Sequence, residues 1–204
     1  MRIIIAAAGK GTRFKHPEIK DKCLCPIFGV PFIQDTINKF KPFGGIHVIG
    51  NDNVLGLENF HTTGIVGCEA YKFLSSIELW TDNTLILFGD TFFSDSAVKL
   101  IVNEKVNDYH FFGRHGANPY TNCDWGEIFA MAIRNKYIIN STLNTIIRKE
   151  NDGKIERSNA WALWNELGAN KQHFTEIMDF TEDFDYAKDY TDWVDRYSKY
   201  YGIK

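Results

Sequence analysis

The first fourteen residues constrain this chain more than any other stretch. Ile3, Ile4 and Ile5 are an apolar run of strand length, and residues 3–8 read as the first strand. Three small alanines follow, then Gly9 and Gly11 around Lys10, then Thr12 and Arg13. A β-branched run that breaks into glycines predicts a buried parallel strand entering a tight loop. Glycines there let backbone amides approach a ligand closely. Successive exposed amides beside Lys10 and Arg13 make a site for phosphate oxygens. A Gly-x-Gly after a strand also closes ordinary turns, so the pair alone does not decide the matter.

The rest of the chain alternates between strand and helix patterns. Pro31 opens a helix to about Phe40, with Phe32, Ile33, Ile37 and Phe40 on one face. A second strand covers residues 46–49. Residues 54–60 suggest a short helix and 63–66 a short strand. Residues 69–80 carry Phe73, Ile77 and Trp80 at helical spacing, and residues 84–88 are a near-continuous apolar run, hence a central strand. Ser94 reads as the N-cap of a helix near 95–105 with Val98, Leu100 and Ile101 inward. Strands are expected at 109–112, 127–133 and 174–178, and helices at 136–149, 158–168 and 181–200. Such alternation predicts an α/β sheet with helices on both faces, in one domain. The second half, from about residue 108, differs in character from the first. Ligands of such sheets lie beyond the carboxyl ends of the strands, which puts the glycine loop and Asp90 in one crevice.

Charge and composition narrow the function. Of 204 residues, 44% are hydrophobic and the net charge is -3, which argues against a nucleic-acid binder. No apolar run reaches membrane-spanning length, and the N-terminus lacks a signal-peptide pattern, so a cytoplasmic setting without membrane partners is expected. Four cysteines are too few for a disulfide scaffold. Cys23 and Cys25 flank Leu24 in a segment that reads as extended, facing one side as small buried residues.

Two motifs together carry a resemblance. Ala7-Ala8-Gly9-Lys10-Gly11-Thr12-Arg13 is followed by Asp21-Lys22-Cys23-Leu24-Cys25-Pro26-Ile27-Phe28-Gly29-Val30-Pro31. This pair resembles the sugar-phosphate nucleotidyltransferase family and its smaller relatives, among them choline-phosphate cytidylyltransferases and molybdenum-cofactor guanylyltransferases. Asp21 departs from the pattern by standing where the family usually has proline. The resemblance implies a Rossmann-like three-layer α/β/α fold (GT-A-like) with a mixed, mostly parallel sheet. It implies transfer of a nucleotide from a nucleoside triphosphate, with CTP or UTP favoured, to a phosphorylated small acceptor, with Mg²⁺ as cofactor.

By the same resemblance, Ala7, Ala8, Gly9, Gly11 and Thr12 would bind the nucleotide, with Ala70 and Ser76 in the segment that reads the base. Lys22 and Arg13 would offset charge on the phosphates. Asp90 would hold the metal, together with Asp179 in Ile177-Met178-Asp179-Phe180-Thr181-Glu182-Asp183. Asp179 has a rival role as a helix cap, and Asp183 reads as helix-start charge. Arg114, His115, Asn118, Tyr120, Asp124 and Trp125 fall in a loop suited to the acceptor. Tyr120 and Trp125 would suit a quaternary ammonium and Arg114 and His115 a sugar phosphate. Trp161 and Trp164 read as core.

The alternatives differ in chemistry. A P-loop kinase needs a glycine where this chain has Ile4. A glycosyltransferase of similar fold would show Asp-x-Asp, whose second position here is Phe92. A non-catalytic nucleotide-binding module would have lost Lys22, Asp90 or Asp179.

Overall fold

Ile3, Ile4 and Ile5 are all fully buried, because the strand they form lies inside a sheet covered on both faces. The computed structural model describes residues 1–9, 13–16, 19, 22–50, 60–62 and 69–203. Strand β1 (Arg2–Ala7) leads to a small hairpin, β2 (Pro26–Ile27) and β3 (Val30–Pro31), then α1 (Phe32–Phe40), β4 (Gly45–Gly50), β5 (Phe60–Thr62) and α2 (Glu69–Leu74). Next come β6 (Thr84–Phe88), β7 (Thr91–Phe92), α3 (Asp95–Asn103), β8 (Tyr109–Arg114) and β9 (Glu127–Ile133). The chain closes with α4 (Lys136–Asn151), α5 (Ala160–Glu166), β10 (Phe174–Glu176), β11 (Glu182–Asp183) and α6 (Ala187–Tyr201).

Among the described residues the main sheet has seven strands, in the order β10-β8-β9-β6-β1-β4-β5. β1 pairs in parallel with β4 and β6, β4 with β5, and β10 with β8. β9 runs against both β6 and β8, which makes the sheet mixed and mostly parallel as expected. Alternation along β1 sends Ile3 and Ile5 to one face with Ile33, Ile37, Val98 and Ile101, and Ile4 to the other with Phe73, Ile139, Leu143 and Leu163. The layers are therefore α1 and α3 on one face, the sheet, and α2, α4 and α5 on the other. A third apolar cluster joins Phe14, Cys25, Phe92, Phe184 and Trp193 of α6 beside the hairpin.

Several expectations are corrected. Residues 182–183 pair with β7, and the last helix begins at Ala187, where the Tyr186 amide donates to Oδ2 of Asp189 at 3.0 Å. The 69–80 helix stops at Leu74 and resumes as a 3-10 turn at Ile77–Leu79. Leu100 is 45% exposed, since only Ala97, Val98 and Ile101 of α3 point inward. Cys23 and Cys25 are both buried but in different clusters, because Lys22–Leu24 coils into a 3-10 turn. Residues 54–59 and 63–66 lie outside the described residues, and Phe60 is in β5. Among the described residues no helix is long and apolar enough to cross a membrane.

Candidate functional site

The carboxyl ends of β1 and β6 open together because Gly89 allows close approach. A Cβ on Gly89 would lie 2.7 Å from Cβ of Ala7, and the Gly89 amide donates to the Ala6 carbonyl at 3.0 Å. Asp90 is thereby set beside Gly9. β9, running the opposite way, starts at the same end and brings Glu127. The β7–β11 ladder places Asp183 opposite Thr91, one residue from Asp90. These ends line a cleft of about 770 Å³ that also takes in Ala8, Arg13, Lys22 and Asp185.

Three carboxylates, Asp90, Asp183 and Asp185, converge here on Lys22 and Arg13, and Glu127 lines the same cleft. Nζ of Lys22 lies 2.5 Å from Oδ2 of Asp90, and 3.6 Å from both Oδ2 of Asp183 and Oδ1 of Asp185. Nη2 of Arg13 donates to Oδ1 of Asp185 at 2.6 Å. Burial opposes the Lys22 charge, but Asp90, Asp183 and Asp185 outweigh it and raise the ammonium above the ordinary lysine range. Burial pushes Glu127 up to about 7, with Asp185, Glu182 and Asp90 adding to it and Arg114 opposing. Asp183 is likewise raised by burial, with Asp90, Glu127 and Asp185 adding and Lys22 opposing. Burial and mutual repulsion, which raise Glu127 and Asp183, mark a site short of positive charge. Once ionised, their hard carboxylate oxygens would fit Mg²⁺ beside a polyphosphate. The ammonium of Lys22 lies between them, and among the described residues no three or more His, Cys, Asp or Glu side chains are already gathered as a metal site.

The residues expected from the sequence divide clearly. Arg13, Lys22 and Asp90 meet, and Ala8 and Gly9 line the cleft with them. Ala7 points into the core and its neighbour Ala6 faces the cleft instead. Gly11 and Thr12 lie outside the described residues. Ala70, on the inner face of α2, is fully buried. Ser76 is buried too, its hydroxyl donating to the Phe73 carbonyl and accepting from the Trp80 indole.

Asp179 does not join Asp90. Its Oδ2 accepts from Ser94 and Ser96 hydroxyls at 2.5 and 2.6 Å, and its Oδ1 from the Thr181 amide at 2.7 Å. Ser94 in turn caps α3 through the Ala97 amide. The carboxylate holds a helix start, and the acids that line the cleft with Asp90 are Asp183, Asp185 and Glu127. The signal for Asp185 was present: Phe184-Asp185-Tyr186-Ala187-Lys188-Asp189 has the same apolar-Asp spacing to a later Asp as the segment containing Asp179, six residues on.

The acceptor loop is also redistributed. Arg114 is fully buried against Glu182 at 2.7 Å and Asn118 donates to the Asp179 carbonyl, so both are structural. His115 pairs with Glu176, and Tyr120 packs on Phe180 and Tyr200. Trp125 lines the cleft, and so does Trp161, while Trp164 is core. Asp124 is exposed and does not line the cleft.

The architecture is similar to that of several solved structures. A Bacillus anthracis protein described as a glucose-1-phosphate thymidylyltransferase, in complex with a sucrose, shares 14% identity at a TM-score of 0.65, over 95% of this chain and 93% of that one. The CTP:phosphocholine cytidylyltransferase of Streptococcus pneumoniae shares 14% identity at 0.57, over 95% and 97%. The inositol-1-phosphate CTP transferase of T. maritima shares 13% at 0.60, over 97% and 96%. At such identities the likeness establishes the fold. No family model and no curated protein matches the sequence.

Proposed function

We propose that this chain is a nucleotidyltransferase that joins a nucleoside monophosphate, from a nucleoside triphosphate, to a phosphorylated small acceptor. The observation that carries the reading is Lys22 held among Asp90, Asp183 and Asp185 at the strand ends, beside Gly9 and Arg13. A fold shared with two cytidylyl-type transferases and a thymidylyltransferase supports it, as does the paired motif around Gly9 and Lys22.

An oxygen of the acceptor phosphate attacks the α-phosphorus of the triphosphate in line. A new P–O bond forms, the bond to the bridging oxygen breaks, and pyrophosphate leaves with the electron pair. The attacking phosphate is already anionic, so no side chain has to remove a proton. The chain's work is positioning and charge offset. The amides around Gly9 bind phosphate oxygens, while Lys22 and Arg13 oppose the charge that grows on the five-coordinate phosphorus. For Lys22 to do so it exchanges carboxylate partners for phosphate oxygens.

Asp90 and Asp185, with Asp183, are the residues that would hold Mg²⁺. When bound, the ion neutralises phosphate charge and polarises the P–O bonds. Ala6 and Ala8 leave room for a base, walled by Phe73 and Phe88. CTP and UTP are the favoured donors. Trp125 and Trp161 give the acceptor side aromatic faces for a sugar ring or a quaternary ammonium.

A panel of triphosphates against sugar phosphates and phosphocholine, followed by pyrophosphate release, tests the reading. Release that requires both partners and Mg²⁺ is expected. Formation of a nucleoside diphosphate, with no pyrophosphate, would mean a kinase instead.

A further inference from the structure

Outside the carboxylate cluster, two opposite charges face each other over the cleft. Glu69 opens α2, in the first half of the chain. Arg157 lies on the connection from α4 to α5, in the second half. Their side chains form an ion pair, and both line the cleft. Arg157 is 53% and Glu69 40% exposed, so water competes for both ends. Exposed pairs of this kind hold weakly.

The backbone beneath the pair is firm. The Ser158 amide donates to Oε2 of Glu150 at 2.8 Å, and the Asn159 side chain caps α5 through the Ala162 amide at 2.9 Å. On the other side, Ala70 and Phe73 pack with Ile139, Leu143 and Ile146 of α4. Opening the bridge therefore takes side-chain rotation alone. Glu69 hydrogen-bonds and attracts the Arg157 guanidinium, and Asp185 adds to that attraction from the carboxylate cluster. The guanidinium is thus parked within electrostatic reach of the reacting centre. A phosphomonoester dianion can also bind it through two oxygens, as a carboxylate can, but carries more charge.

We propose that Arg157 is the specificity-determining contact for the acceptor phosphate, and that Glu69 is its built-in competitor. A phosphomonoester displaces Glu69 and takes Arg157, whereas a neutral alcohol cannot. The role as acceptor contact rests on the transferase reading above; the anion exchange itself does not.

Inorganic phosphate is the first probe, titrated calorimetrically into wild type, Glu69→Gln and Arg157→Ala. Glu69→Gln should tighten phosphate two- to fivefold, which corresponds to about 0.4–1 kcal/mol. Arg157→Ala should weaken it at least tenfold, and Arg157→Lys should fall between. In steady-state assays the acceptor KM should move in the same two directions, with the nucleotide KM within twofold of wild type. A merely structural clasp predicts the opposite: both substitutions break the same bridge, so both shift affinity one way. That result, or an Arg157→Ala protein that binds phosphate like wild type, overturns the proposal. If the opposed phosphate shifts hold but no acceptor is turned over, the anion exchange stands and the transferase reading fails. If turnover is seen but both variants move acceptor KM together, the transferase reading stands and the exchange fails.

Discussion

Replacing Arg114 by Met should cost about 3–4 kcal/mol of stability at pH 7 and much less at pH 5. Arg114 is fully buried and Glu182 nearly so. Arg114 gives Nη2 to Oε1 of Glu182 at 2.7 Å and Nε to the Trp125 carbonyl at 3.1 Å. Without it, Glu182 keeps only neutral donors, the Thr121 hydroxyl at 2.5 Å and the Asp183 amide at 3.2 Å. Burial already raises Glu182, against the pull of Arg114. Removing that pull leaves protonation as the cheaper state. Neutralising a carboxyl of ordinary pKa 4.5 costs about 3.4 kcal/mol at pH 7 but only about 0.7 at pH 5. The sign follows: a folded-state pKa raised above the unfolded value gives stability present below pH 4.5 and lost as pH rises. Urea unfolding of wild type and Arg114→Met at both pH values measures the difference. Adding Glu182→Gln to the variant should remove the pH dependence. A loss equal at pH 5 and pH 7 would refute the charge argument and leave packing as the cause. A loss below about 1 kcal/mol at pH 7 would refute the buried-pair argument altogether.

Other consequences follow from the same geometry. Lys22→Ala should lower turnover about 10²–10³-fold, the scale of losing one charge-stabilising donor, while the circular dichroism spectrum stays native. MgCl₂ should raise the melting temperature of the wild type if the acids bind the ion, and Asp185→Asn should abolish that rise. Asp179→Asn should retain that rise while lowering the melting temperature itself, because Asp179 holds Ser94, Ser96 and the Thr181 amide. Burial pushes the Cys123 thiol up to about 11, so at pH 8 it should react with iodoacetamide far more slowly than a small free thiol; equal rates, read by mass spectrometry of the labelled peptide, would contradict the burial argument.

The parts of the site that were legible in the sequence are those made locally. The run Ile3–Ile5 breaking at Gly9, and residues 84–88 ending in Gly89-Asp90, each declare a strand and its end within a dozen residues. Lys22 was legible only through its motif, because nothing local draws a lone lysine into a cleft. Asp185 was missed because two segments, six residues apart, share the apolar-Asp spacing, and only the tertiary partners separate them: Ser94 and Ser96 claim Asp179, and Arg13 claims Asp185. The inward turn of Ser76 was hidden for a related reason. A serine before a helical turn looks like a donor for a base, but Trp80, four residues on, takes its hydroxyl inward. Trp161 and Trp164 are three apart on one helix, and the sequence alone did not separate them: Trp164 packs against Phe111, while Trp161 reaches the cleft.

Gathering mutually repelling acids at one point requires something on their other side to hold them. Along residues 182–185 the side chains alternate as in a strand: Glu182 and Phe184 turn inward, and Asp183 and Asp185 reach the cleft. The inward pair is anchored twice. Arg114 and Thr121 take Glu182, and Phe184 packs edge-on against Phe32 and Trp193. Trp193 is itself tied down by its indole hydrogen bond to the Phe180 carbonyl at 2.9 Å. Aromatic burial of this size contributes several kcal/mol and is non-directional, so it sets depth but not register. The Arg114–Glu182 bridge and the two-residue ladder with β7 set register. A slip of one residue would turn Asp183 and Asp185 into the core and Glu182 and Phe184 into the cleft. The α6 packing and the buried ion pair are therefore a condition for the charge cluster.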